Sequence, residues 1–148
     1  MTRVVARRTA LAGLLAVAAA ACTGPTTSGQ ARTALTDALR QAMSAIETSD
    51  LTIGLLHARR LTTAVADGSL LDQLRVLEES SIAVTTLVPP ASLGDVRAGA
   101  ITAVAMASGT VTAARAWIQG APGSAAELHE ALGHAGDRLG AVLAEVDS

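Results

Sequence analysis

The sequence predicts an all-α fold, an up-down-up-down four-helix bundle, and three observations carry that expectation. After position 31 apolar residues recur at steps of three and four over long stretches, the period of a helix with one buried face. The chain has one Trp, no Phe and no Tyr, so its core must be assembled from Leu, Val, Ile, Met and Ala, which suits close-packed helices better than the aromatic layers of a sheet. Beyond residue 31 proline occurs only at 89, 90 and 122. Proline ends helices, so the remainder divides into long segments, and 148 residues leave room for one folded unit.

Residues 31–148 are expected to form the bundle, with helices at about 31–58, 62–88, 92–119 and 124–147. In the first, Leu35, Leu39, Ala42, Ile46, Ser49, Ile53 and Leu56 alternate steps of four and three, a seam that runs through Glu47–Asp50 without a break. The alternative is a break near Ser49, because Thr48, Ser49 and Asp50 are good N-caps and Gly54 weakens the next turn. Arg59 and Arg60 suit the end of that helix, and Thr62 or Thr63 suits the start of the second. The second carries Leu70, Leu74, Leu77, Ser81 and Val84 and stops at Pro89-Pro90.

The third helix carries Val96, Ile101, Val104, Val111 and Ile118. Residues 98–114 hold no charge but are rich in Thr, Ser and Gly, which favours a buried bundle helix over a membrane span. Ser124 and Glu127 match a capping box for the fourth helix, whose seam is Leu128, Leu132, Ala135, Leu139, Val142 and Val146. Gly133, Gly136 and Gly140 form a small-residue stripe beside that seam. It would let a neighbouring backbone approach, inside the tight bundle or across a helix-mediated dimer.

Ahead of the bundle, Arg3, Arg7 and Arg8 precede an uncharged run over residues 9–21, too short to cross about 30 Å of hydrocarbon as a helix. Residues 1–21 are therefore expected to be a signal peptide, exported through the Sec or the Tat route. Ala19 to Cys22 resembles the lipobox of bacterial lipoproteins, and the composition resembles that of high-GC actinobacterial-like proteins. The lipobox resemblance covers about the first 25 residues. It implies cleavage before Cys22, acyl chains such as palmitate on that residue, and a protein anchored at the extracytoplasmic face of the cell membrane. Ala19 and Ala21 also satisfy the small-x-small rule of ordinary signal peptidase, which would release a secreted form. Residues 22–30, the anchored Cys with a Gly-, Pro- and Thr-containing stretch, are expected to be a flexible tether.

Charge excludes one class of function. The three N-terminal arginines are the only charges ahead of Cys22, so cleavage leaves eight arginines against thirteen acids. An acidic chain without a basic stripe or stacking aromatics neither neutralises phosphates nor stacks bases, so no nucleic acid is expected as a partner. Catalytic constellations are also missing. Cys22 is the only cysteine, and no Gly-x-Ser-x-Gly, phosphate-binding Gly loop or His-Glu-x-x-His occurs. Nor is there the Glu-x-x-His pair that di-iron bundles need. No enzyme activity, metal or cofactor is expected.

An alternating bundle gathers the remaining chemistry at the pole away from the tether: His57, Arg59, Arg60, Trp117 and His129, with Glu130 and His134 one and two turns further in. Glu130 and His134 lie four apart on one helix face and could share a proton or cation. This pole is a candidate partner or ligand site, although solvated charges and a loop-packing Trp explain it as well. The expectation is a protein-interaction or envelope-scaffold module held to the membrane by Cys22. The alternative is a carrier of an apolar ligand or lipid between the helices.

Overall fold

The computed structural model describes residues 26–148. The expected signal peptide and residues 22–25 of the expected tether, Cys22 among them, lie outside the described residues. Four helices, α1 (Ser28–His57), α2 (Thr63–Thr86), α3 (Gly94–Ile118) and α4 (Ala125–Asp147), pack as the expected up-down-up-down bundle. Each packs on its neighbours in sequence, α1 also packs on α4 to close the ring, and α1 meets α3 across the centre.

The boundaries follow from capping chemistry. Helix α1 begins three residues before the expected start. The Thr27 hydroxyl accepts from the Gln30 N–H at 3.2 Å, and the Gln30 side chain accepts from the Thr27 N–H at 3.0 Å. This reciprocal box satisfies two donors that a helix start leaves unpaired, so residues 28–30 are helical rather than tether. No break occurs near Ser49, whose Oγ donates to the Ala45 carbonyl at 2.7 Å inside α1 instead of capping a new helix. At the far end of α1, Arg59 sits at φ 56°. The Arg59 and Arg60 N–H groups donate to Leu56 O and Leu55 O at 2.9 and 2.8 Å. That is the Schellman pattern, here with an Arg where glycine is usual.

Thr62 caps α2, its hydroxyl accepting from the Val65 N–H at 3.3 Å. Helix α2 stops two residues short of the expected end, because Leu87 turns extended ahead of the prolines. The approach to α3 is a short 3-10 turn, Ala91–Leu93. Gly120, at φ 102°, closes α3 with a second Schellman pattern, in which the Ala121 N–H reaches Ala116 O at 2.9 Å. The Ser124–Glu127 box opens α4 as the sequence predicts.

Arginines stitch the exposed helix ends. Arg97 donates from Nε to Val84 O at 2.9 Å and from Nη2 to Thr85 O at 2.5 Å, supplying the partners that the end of α2 lacks. Arg32 does the same for α4 at Val146 O.

The core is aliphatic. Every expected α4 seam residue is buried, as are Leu35, Leu39, Ala42, Ile46, Ser49 and Ile53 of α1. Each buried leucine contributes about 2 kcal/mol of transfer free energy. In α2 the seam keeps Leu70, Leu77 and Val84 but takes Ser80 in place of Ser81. In α3 the buried stripe is mostly alanine, namely Ala100, Ala103, Ala107 and Ala114 with Val104 and Val111, while Val96, Ile101 and Ile118 are only half-buried. Helix α3 packs in the bundle against α2, α4 and α1 through this face, and 28% of its most apolar window is buried.

Candidate binding surfaces

The pole that the sequence singled out does come together in space, but its members are committed to structure or spread out. His57 ends α1 exposed, and Arg60 is exposed just beyond. Trp117 is half-buried against the core, and its Nε1–H donates to Gly123 O at 3.2 Å. It therefore staples the loop between α3 and α4. His129 crosses to α1, where Nδ1 meets Asp50 Oδ1 at 2.5 Å and the ring lies over Gly54, its Cε1 3.6 Å from where a Cβ would stand. Glu130 and His134 approach to 3.8 Å but are about three-quarters exposed, a geometry of little energetic consequence in water. No cluster of three metal-ligating side chains occurs among the described residues.

One polar constellation at this end escaped the sequence analysis. Arg115 of α3 forks onto Asp67 of α2, with Nε to Oδ1 at 2.8 Å and Nη2 to Oδ2 at 3.2 Å, and Gln119 Nε2 donates to Oδ1 at 3.1 Å. The Arg115 hydrogen bond, followed by that from Gln119, holds the Asp67 carboxyl below its ordinary range, and the same contact raises Arg115. These contacts tie α2 to α3 and engage both oxygens of the Asp67 carboxylate. Local periodicity carries no signal for a pair 48 residues apart.

Two other surfaces have the geometry to bind. The first is a groove between α1 and α4, with a cavity of about 420 Å³, lined by Met43, Ile46, Glu47 and Asp50 from α1 and by His129, Leu132, Asp137 and the three stripe glycines from α4. The glycines do not face a close-packed backbone. A Cβ on Gly133 or Gly140 would meet nothing within 4 Å, and only Gly136 sits near a neighbour, with Ile46 Cγ2 at 3.7 Å. The stripe opens a cleft instead of closing a contact.

The second is the outer face of α3. Ala98, Thr102, Ala105, Met106, Gly109, Thr112 and Ala113 are all exposed, and at spacings of three and four they form one stripe about 22 Å long. None is charged. The exposed face of each other helix carries charges in its middle turns, for example Asp37 and Arg40 on α1, Glu78 and Glu79 on α2, and Glu130 and Arg138 on α4.

Comparison of the chain with protein-family models, with curated proteins and with solved structures finds no match. The surfaces themselves therefore carry the functional argument.

Proposed function

We propose that this chain is a lipid-anchored helical-bundle protein of the bacterial cell envelope, held at the extracytoplasmic face through Cys22, and that it works as a protein-interaction module. The observation that carries the reading is the charge-free outer face of α3. A helix exposed to water on one side normally presents charges there, whereas this one presents Ala, Thr, Gly and Met over four turns. Such side chains let a second helix approach closely and satisfy it by packing. A charge brought against them would lose its water and gain no partner, so the partner presents an uncharged helix of its own.

A photo-crosslinking residue at position 106, where Met106 is 46% exposed, tests the surface in intact envelopes. The expected result is an adduct with one protein species, absent with the same probe at the exposed position 41 and abolished by Ala105→Arg. Equal labelling at both positions refutes the α3 surface. The anchor is tested separately by Cys22→Ala. The variant is expected to leave the membrane fraction, and retention as firm as wild type would refute lipidation.

A further inference from the structure

From the groove between α1 and α4 we infer a second binding site, for a small organic cation with an apolar body, an alkylammonium amphiphile. The site stands apart from the α3 surface and does not depend on it. Its volume, about 420 Å³, lies within the range of small-ligand sites, roughly 300–1,000 Å³. A specific protein interface needs about 800 Å² from each partner, more than one such cleft presents.

The lining gives the ligand its two halves. Met43, Ile46 and Leu132 form an apolar bed, and the missing side chains of Gly133 and Gly140 leave it open above α4. Glu47 from α1 and Asp137 from α4 border the same space, and neither forms an ion pair among the described residues. The third carboxylate, Asp50, is already engaged by His129. No arginine lines the groove. An ammonium group placed between Glu47 and Asp137 would meet two unpaired carboxylates while its alkyl chain lies on the apolar bed. A fatty acid or an alkyl sulfate of the same shape would be repelled at the same point, so the charge pattern selects the sign of the headgroup.

The test uses the full chain and three probes that share one tail: n-octylammonium, n-octyl sulfate and n-octyl glucoside, each kept below its micelle concentration. Binding is followed by calorimetry, and its position by shifts of the Met43 methyl and Gly136 amide resonances. Saturable binding of octylammonium with shifts at those two residues is expected. Octyl sulfate should bind at least about tenfold more weakly, the scale of two exposed charge contacts. Glu47→Gln combined with Asp137→Asn should remove that preference.

Gly133→Leu combined with Gly140→Leu should fill the cleft and abolish binding without lowering the melting temperature, since a Cβ at either position meets nothing and glycine is the poorer helix former. The same double variant should keep the crosslink at position 106, which separates failure of this site from failure of the α3 surface. The inference is overturned if the three probes bind alike, if none binds, if the filled variant binds as wild type does, or if the shifts fall elsewhere.

Discussion

Two serines of this bundle make a matched pair that isolates the energetics of a buried hydroxyl. Ser49 and Ser80 are both fully buried in helix interiors, but Ser49 Oγ donates to Ala45 O at 2.7 Å whereas Ser80 Oγ has no partner. Burying a polar group without a hydrogen bond costs about 1–3 kcal/mol, and alanine is the better helix former by about 0.5 kcal/mol. Ser80→Ala removes both penalties and creates a void of only one oxygen atom, so it should stabilise the protein by about 1–2 kcal/mol. For a bundle of this size that is roughly 4 °C in melting temperature per kcal/mol. Ser49→Ala gives up a made hydrogen bond, and its stability should stay level or fall by up to about 1 kcal/mol. Urea denaturation followed by circular dichroism measures both, with equal slopes showing that only stability has changed. If the two substitutions shift the midpoint alike, or if Ser80→Ala lowers it, the Ser80 hydroxyl is satisfied in solution, for instance by turning onto the Val76 carbonyl one turn earlier, and the argument fails.

Three further outcomes follow from local geometry. Arg59→Gly should raise stability by about 0.5–1 kcal/mol, because position 59 sits at φ 56° where glycine carries no Cβ penalty; an unchanged or lower thermal midpoint would contradict it. Ser124→Ala should cost about 1 kcal/mol by breaking the box with Glu127, read from the same denaturation curves. Asp67 titrates below its ordinary range when folded, so the stability it contributes is present above the unfolded carboxylate value and is lost as pH falls through the folded one. Below about pH 4 wild type should therefore lose stability more steeply than Asp67→Asn. Parallel acid limbs in urea titrations would show that the Arg115 fork does not shift the proton equilibrium.

The sequence revealed most where one face had a clean period. Helix α4 alternates Leu and Val with Ala at steps of three and four, and its whole seam is buried as expected. Helix α1 was legible through Thr48–Asp50 for the same reason. In α2 the pattern offers Ser80 and Ser81 side by side, and only packing against the other helices chooses between them. The early start of α1 was written in Thr27 and Gln30, a capping box as explicit as Ser124 and Glu127. The α3 stripe was visible as an uncharged segment, yet which of its faces meets water depends on three other helices. The groove and the Asp50–His129 pair are illegible locally, because they depend on how α1 and α4 register against each other across 79 residues.

The placement of Trp117 governs how this protein can be watched. With no Tyr or Phe in the chain, all intrinsic fluorescence comes from one indole bonded to Gly123 in the corner between α3 and α4. Emission therefore reports the opening of that corner, while far-ultraviolet dichroism reports all four helices. Coincident transitions by the two signals would show that the bundle melts as one cooperative unit. An earlier change in emission would mark the α3–α4 end as the place where unfolding begins.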